Sequence, residues 1–198
     1  MLIKENLLYS VGATEEHYSP GDYIFREEAI PQFYYQIVRG TVKLNSYNDD
    51  GKEFIQNIFS DESTFGESML FLGKAYPVNA VSISECTILK VSREQLFLLM
   101  DAYPFISIDL CKLLSARTYD KYVLMRKITS KNAEERLKEI MDLFKEPYGN
   151  KEKFSFEIPY TRQQLGSFTG ICVETVIRAI KRLEKNNVLM IRNRKIFY

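Results

Sequence analysis

The chain has 198 residues, 45% of them apolar and 27% charged, with a formal net charge of +1, values typical of a globular protein that can bury a sizeable core. No apolar run approaches the roughly 20 residues of a membrane-spanning helix, and the first residues lack a signal peptide's features, so we expect a cytoplasmic protein. One histidine and three distant cysteines (Cys86, Cys111 and Cys172) argue against a zinc or four-cysteine iron–sulfur site, and buried or neutral thiols are expected instead.

The first predicted elements are short β-strands within residues 17–92. Residues 34–47 are aromatic and β-branched, with Gly40 at a predicted bend or bulge. Residues 48–51 (NDDG) predict a turn, residues 53–59 the returning strand, and residues 78–84 and 87–91 two more strands. Short strands separated by turns indicate an antiparallel sandwich or barrel.

Helices are predicted next. Ser92 can cap a helix that begins at Arg93, and a long helix is predicted from Phe105 to about Thr129. Alternating three- and four-residue steps give this long helix a heptad-like seam, formed by Ile108, Cys111, Ser115, Thr118, Tyr122 and Met125. Further apolar residues (Leu110, Leu113, Leu114 and Leu124) widen the apolar surface, so one face could pack on the β domain and the other on a second subunit. A single buried helix inside a monomer is the alternative.

The last third of the chain begins with a predicted hinge at 130–132 and a predicted capping box of Asn132 with Glu135, which starts a helix to about Lys145. A loop at 147–151 and a short strand at 154–158 are expected to follow. The final residues, from Val188 to Tyr198, predict a hairpin.

Residues 161–184 predict two short helices joined by a tight turn. Thr161 and Gln164 form a predicted capping box, Gly170 suits the turn, and the second helix starts at about Val173. Its apolar spacing comes from Val176, Ile177, Ile180 and Leu183. This is the pattern of a helix-turn-helix that places its second helix in the DNA major groove, with the final hairpin as a wing.

The charge distribution agrees with a polyanionic partner. Residues 151–198 contain 10 Lys and Arg against 4 Asp and Glu, whereas residues 1–150 contain 17 against 22. A basic segment on an acidic body is an electrostatic footprint of nucleic-acid binding, although solvated surface charge can look the same.

Several segments in this order resemble the cyclic-AMP receptor protein and FNR (Crp/Fnr) superfamily of bacterial transcription regulators: residues 17–25 (HYSPGDYIF), 33–42 (FYYQIVRGTV), 65–71 (FGESMLF), 161–166 (TRQQLG) and 173–178 (VETVIR). The resemblance implies an α+β chain: an antiparallel β-roll of the cyclic-nucleotide-binding type (a double-stranded β-helix or jelly roll) at 1–103, a long dimerisation helix and hinge at 104–131, and a winged helix-turn-helix domain at 132–198. It covers nearly the whole chain.

The resemblance also implies the DNA-contacting residues. Base edges would be met by Val173, Glu174, Ile177 and Arg178, and the phosphate backbone by Thr161, Arg162, Gln163, Thr175 and Lys181. A guanidinium can donate to guanine and a carboxylate can accept from cytosine. Val173 stands where cyclic-AMP receptor proteins carry another arginine, which favours an FNR-like half-site. The alternative for Glu174 and Arg178 is a surface ion pair worth roughly 0.2–0.5 kcal/mol.

The effector pocket implied by the resemblance comprises Phe65, Gly66, Glu67, Pro77, Val78, Asn79 and Tyr122. Cyclic-nucleotide binders carry a phosphate-binding arginine about ten residues after the Gly-Glu pair, where this chain has residues 76–79 (YPVN), and an adenine-contacting Thr-Ser pair where it has Lys121 and Tyr122. We therefore expect no guanidinium in the pocket and no cyclic-AMP binding, because a buried phosphate without its charge partner costs several kcal/mol. Neither an FNR-type cysteine cluster nor haem on His17 is expected as a sensor.

The sequence thus predicts a homodimeric, non-enzymatic regulator that binds double-stranded DNA at a palindromic operator. We expect no cofactor and no membrane association, an unknown effector or none, and contact with RNA polymerase if the protein is an activator. Two alternatives from other classes remain: a cyclic-nucleotide-binding signalling module and a metal-dependent cupin-like enzyme, for which one histidine is too few.

Overall fold

The computed structural model describes residues 2–128, 132–146, 149 and 152–198. The chain divides into two compact units, Met1–Arg117 and Thr118–Tyr198. The division falls inside the long helix, whereas the predicted boundaries lie at its two ends, after residues 103 and 131.

The first unit is a β-roll with short helices. In chain order its elements are α1 (Glu5–Ser10), β1 (Thr14–Tyr18), β2 (Tyr23–Phe25), β3 (Phe33–Arg39), β4 (Val42–Tyr47), β5 (Glu53–Phe59), β6 (Thr64–Phe65), α2 (Glu67–Leu72), β7 (Asn79–Ser82), β8 (Cys86–Ser92), α3 (Arg93–Ala102) and the start of α4 (Phe105–Ile128). The strands form two four-stranded sheets, ordered β1-β8-β3-β6 and β2-β7-β4-β5, and their pairings are antiparallel. The predicted antiparallel β-roll is confirmed.

The bend predicted at Gly40 separates β3 from β4. Its φ of 111° lies in the region that favours glycine, and a Cβ there would approach the carbonyl oxygen of Glu85 to 2.5 Å. The predicted turn at 48–51 is closed by the Gly51 amide, which donates to the carbonyl of Asn48 at 2.9 Å. Local sequence therefore determines where β3 gives way to β4 and where β4 turns back into β5.

Two apolar clusters stabilise the first unit. One joins β3 and β8 to the helices and includes Leu8, Leu89, Leu96, Leu99 and Leu110. The other fills the inside of the roll and is rich in aromatic rings, with Phe25, Tyr35, Phe65 and Tyr76 packed against Ile37, Val42, Ala80, Cys86 and Ile88. The interior of the roll is thus packed core.

Helix α4 has one face on the roll and another in solvent. Ile106 and Leu110 are each 2% exposed, and Leu113 and Leu114 are half-buried. The predicted seam behaves differently, because all six of its residues are exposed: Ile108, Cys111, Ser115, Thr118, Tyr122 and Met125. The alternative of a helix buried within one subunit is wrong for this face. The helix ends at Ile128, and Thr129 lies outside the described residues.

The second unit contains α5 (Ala133–Lys145), α6 (Arg162–Thr169), α7 (Val173–Lys185), β9 (Met190–Arg192) and β10 (Lys195–Phe197). The side chain of Asn132 accepts a hydrogen bond from the Glu135 amide at 3.0 Å and caps α5, which is one of the two hydrogen bonds of the predicted capping box. Ser130 and Lys131 of the predicted hinge lie outside the described residues, as does most of the predicted 147–151 loop. None of the described helices is both long enough and apolar enough to cross a membrane.

The strand predicted at 154–158 is wrong as an independent element. Phe154 has a φ of 60°, which interrupts an extended conformation, and the segment joins β10 only through a bridge between Glu157 and Phe197. Hydrogen bonds between Phe156 and Tyr198, and from the Ile158 amide to the Ile196 carbonyl, hold it beside the hairpin. Residues 156–158 therefore lie beside β10 as a third segment of the wing.

Candidate DNA-binding site and effector region

Helix α6 is fixed at its start by the predicted capping box. The Gln164 amide donates to the Thr161 hydroxyl at 3.1 Å, and the Thr161 amide donates to the Gln164 side-chain oxygen at 2.8 Å. Leu165 is fully buried, and Phe168 and Thr169 are 7% and 4% exposed. These contacts anchor the first helix of the motif on the domain core.

The turn between α6 and α7 requires two glycines for different reasons. Gly170 ends α6 with a φ of 70°. Gly166 is helical, but a Cβ on it would meet the carbonyl oxygen of Ile171 at 2.8 Å. The Ile171 amide donates to the Gly166 carbonyl at 3.0 Å, so the chain turns closely over this residue.

Helix α7 separates a buried stripe from a polar face. Val176, Ala179, Ile180 and Leu183 are at most 6% exposed. Of the four predicted base-reading residues, Glu174, Ile177 and Arg178 are exposed and Val173 is half-buried. All four lie in the first turns of α7, as reading by a recognition helix requires.

The side chains of this face make few contacts within the protein. Arg178 donates to the Thr175 hydroxyl at 3.3 Å, and the ion pairs among the described residues do not join Arg178 to Glu174. The surface ion pair considered as the alternative is therefore not formed. Both side chains remain available to an external partner.

The five predicted phosphate-contacting residues have different surroundings. Gln163 and Lys181 are exposed, and the Thr161 hydroxyl already caps α6. Thr175 is half-buried and accepts from Arg178. Arg162 donates from Nη1 to the carbonyl of Arg194 at 3.0 Å, which connects the start of α6 to the wing.

The three cysteines, expected to be buried or neutral thiols, differ in their exposure. Cys86 is buried in the roll, but Cys111 and Cys172 are exposed. Cys172 precedes α7, and its Sγ lies 3.0 Å from the Thr175 hydroxyl. Hydrogen bonds from the Thr175 hydroxyl and amide lower the pKa of the Cys172 thiol.

The implied effector pocket is only partly assembled within the first unit. Phe65, Val78 and Asn79 are buried, Gly66 precedes α2, and Pro77 is exposed. The Asn79 side chain is used internally, because it accepts from the Glu27 amide at 3.0 Å and donates to the Asn45 carbonyl at 3.3 Å. Tyr122 belongs to the second unit and is 67% exposed.

A guanidinium does reach this region, contrary to the sequence prediction. Arg117 of α4 forms an ion pair with Glu67, whose side chain is only 1% exposed. Arg117 also donates to the Thr64 carbonyl at 2.8 Å and lies over the Phe59 ring at 4.7 Å from its centroid. Sequence reasoning missed Arg117, although it continues the roll-facing spacing of Ile106 and Leu110.

Residues 76–79, which stand where the resemblance implies a phosphate-binding arginine, begin in the aromatic core. Tyr76 is 2% exposed and stacks on Phe25 with ring centroids 3.6 Å apart. Its hydroxyl has no hydrogen-bond partner within the described part of the chain, and burial raises its pKa, with smaller contributions from Tyr35 and Glu67. An apolar, stacked site of this kind offers no positive charge to a phosphate.

Two models of known protein families match this chain, one before helix α4 and one after it. Residues 15–103 match the family model of the cyclic nucleotide-binding domain, and residues 135–197 match that of the Crp-like helix-turn-helix domain.

Among the described residues, no group of three or more His, Cys, Asp or Glu could hold a metal ion.

Relatives with characterised roles are similar over most of the chain. The cAMP-activated global transcriptional regulator CRP of Haemophilus influenzae is 29% identical over 157 residues, which cover 78% of this chain and 70% of that protein. The transcriptional activator protein Anr of Pseudomonas aeruginosa is 24% identical over 179 residues, covering 89% and 72%. The structure of the c-di-GMP responsive regulator CLP of Xanthomonas campestris has a TM-score of 0.81, 21% identity and 98% coverage of both chains.

Proposed function

The chain belongs to the Crp/Fnr family of transcription regulators, and we propose that it acts as a homodimer on a palindromic operator, without a cyclic nucleotide and without enzymatic activity. In this proposal each protomer reads one half-site through α7. Contact with RNA polymerase would be needed only if the protein activates transcription.

The proposed DNA contact is supported above all by the exposed face of α7. Glu174 and Arg178 are four residues apart, so they project from the same side of the helix, and neither neutralises the other. A guanidinium donates well to guanine O6 and N7, and a carboxylate can accept from the cytosine amino group. The basic balance of residues 151–198 adds a sequence-independent attraction to phosphate.

Selection of bound duplexes from a random DNA library by the full chain tests this part of the proposal. We expect enrichment of a two-fold symmetric sequence whose half-sites lie about one helical turn apart. Arg178→Ala is expected to cost ~1–3 kcal/mol on the selected sequence and to relax preference at one base pair per half-site. Lys185→Ala, at an exposed position in the last turn of α7, is the control. Equal weakening by Arg178→Ala on all sequences would reject base reading.

The proposed dimer is supported by the six exposed seam residues of α4. A seam at heptad spacing favours a second helix, because each protomer alone leaves its large apolar members Ile108, Tyr122 and Met125 in water. Sedimentation equilibrium is expected to show a dimer for the wild type and a shift towards monomer for Ile108→Glu. Lys112→Glu, on the same helix outside the seam, is the matched control and should remain dimeric.

The proposed independence from cyclic nucleotides is supported by the interior of the roll. Tyr76 begins the segment where the resemblance implies a phosphate-binding arginine and stacks on Phe25, and Arg117 already neutralises Glu67. The residues present therefore do not fit a cyclic phosphate. Isothermal titration calorimetry with cyclic AMP and cyclic GMP should show no saturable heat, and micromolar binding of either would favour the signalling-module alternative.

A further inference from the structure

The tip of the wing is a two-residue turn with an unusual occupant. Asn193 and Arg194 have φ values of 50° and 64°, and they join Arg192 of β9 to Lys195 of β10. Two consecutive positive φ values are typical of a type I′ turn, in which Asn-Gly is favoured because glycine has no Cβ to strain. Arg194 therefore places a long basic side chain where glycine would be least strained.

This tip is held in place from two directions. The Arg162 guanidinium donates to the Arg194 carbonyl at 3.0 Å, so the start of α6 supports the strained residue directly. Along the hairpin, the Ile158 amide donates to the Ile196 carbonyl and the Tyr198 amide to the Phe156 carbonyl, each at 2.8 Å. The side chain at the tip is thus presented by a well-supported backbone.

The three basic side chains of the wing differ in their partners. Lys195 forms an ion pair with Glu157 at 2.7 Å, and Arg192 lies over the Phe197 ring at 5.8 Å from its centroid. Arg194 is exposed, and its guanidinium makes no hydrogen bond or ion pair with the described residues. Of the three, the Arg194 guanidinium is therefore the least engaged by the described residues.

We propose that Arg194 enters the DNA minor groove beside the half-site read by α7 and favours A·T-rich sequence there. This inference rests on the proposed DNA-binding function. The first helix of a helix-turn-helix crosses the DNA backbone. Because Arg162 connects the start of that helix to the wing tip, the proposal places the tip beside the DNA strand that α6 would cross.

The shape of the tip matches this groove. The minor groove is about 6 Å wide, which excludes a helix but admits a single side chain. A·T-rich segments narrow it further and concentrate its negative potential, which attracts arginine without contact to any particular base. A basic side chain at the end of a two-residue turn has the required reach and width.

The experiment compares Arg194→Gly with Arg192→Gln in the full-length chain. Each substitution removes one positive charge from the wing. Glycine also suits the φ of 64°, so the thermal unfolding midpoint of Arg194→Gly should equal or exceed that of the wild type. Each protein first selects duplexes from the same random library. Affinities are then measured on the DNA sequence that the wild type enriches (the core of the site), flanked by A·T-rich or G·C-rich segments.

We expect all three proteins to enrich the same core and only Arg194→Gly to lose the A·T preference next to it. Its affinity should fall at least about fivefold on A·T-rich flanks and less than about twofold on G·C-rich flanks. Equal losses on both flanks would mean that Arg194 contacts phosphate only, and no loss would mean no contact; either overturns the inference. If the wild type enriches no core, the proposed DNA-binding function fails, and this inference fails with it.

Discussion

Replacing Arg117 by methionine should destabilise the protein through the carboxylate that it leaves behind. Methionine keeps the apolar stem that lies near Phe59 but removes the guanidinium that pairs with Glu67. Because Glu67 is only 1% exposed, its charge then has no nearby cation and little water. Breaking a buried ion pair in this way costs about 3–5 kcal/mol of the free energy of unfolding. This free-energy cost includes the loss of the hydrogen bond that Arg117 donates to the Thr64 carbonyl.

A second substitution tests whether the unpaired charge of Glu67 causes this loss of stability. Glu67→Gln in the Arg117→Met protein removes the unpaired charge, so the double variant should recover at least about 2 kcal/mol of the loss. Arg126→Met is the control, because Arg126 is exposed on the same helix and its replacement should change stability by less than about 0.5 kcal/mol.

Urea denaturation followed by circular dichroism and tyrosine fluorescence provides the measurement, since the chain contains no tryptophan. All variants are compared at one protein concentration, because the stability of a dimer depends on concentration. A loss below about 1 kcal/mol for Arg117→Met, or a double variant no more stable than the single one, would refute the reasoning.

Three further predictions each concern a single residue. Gly166→Ala should lower the unfolding midpoint and weaken DNA binding, because its Cβ would meet the Ile171 carbonyl at 2.8 Å; an unchanged midpoint by differential scanning calorimetry would contradict this. Near pH 7, iodoacetamide should modify Cys172 faster in the wild type than in a Thr175→Val variant, as mass spectrometry can measure, because the Thr175 hydroxyl lowers the pKa of the Cys172 thiol; equal rates would count against it. Burial, with a smaller contribution from Glu16, raises the pKa of Tyr35 to about 12 from 10.0, so its contribution to stability is complete below pH 10 and is lost as the pH rises towards 12. Tyr35→Phe should reduce that alkaline loss in urea titrations, and an identical pH profile would argue against it.

Much of the fold was predictable because local signals and long-range packing agree. The capping box at Thr161, the turn at Gly170 and the bend at Gly40 were found from residue type and spacing, and the structure has each of them. The seam of α4 was also predictable from periodicity alone, and its exposure agrees with the spacing. These features depend on residues that are close in sequence.

The parts that sequence reasoning missed depend on residues far apart. Arg117 and Glu67 are 50 residues apart, and a pairing between the first residue of α2 and a face of α4 has no local signature. The segment at 154–158 looked like a strand by composition, yet the φ of Phe154 and the single bridge at Glu157 prevent a separate element. The roles of the predicted DNA-contacting residues stay predictions until DNA binding is measured.

The exposed seam of α4 has a consequence for how such a regulator responds to its own abundance. If an operator is occupied by dimers, and most of the protein is monomeric at cellular concentration, the active species rises with roughly the square of the amount of protein. Doubling synthesis would then raise the dimer roughly fourfold, a sharper response than a monomer gives. In a protein whose roll is already filled by its own side chains, the rate of synthesis and degradation can itself be the signal that sets gene expression.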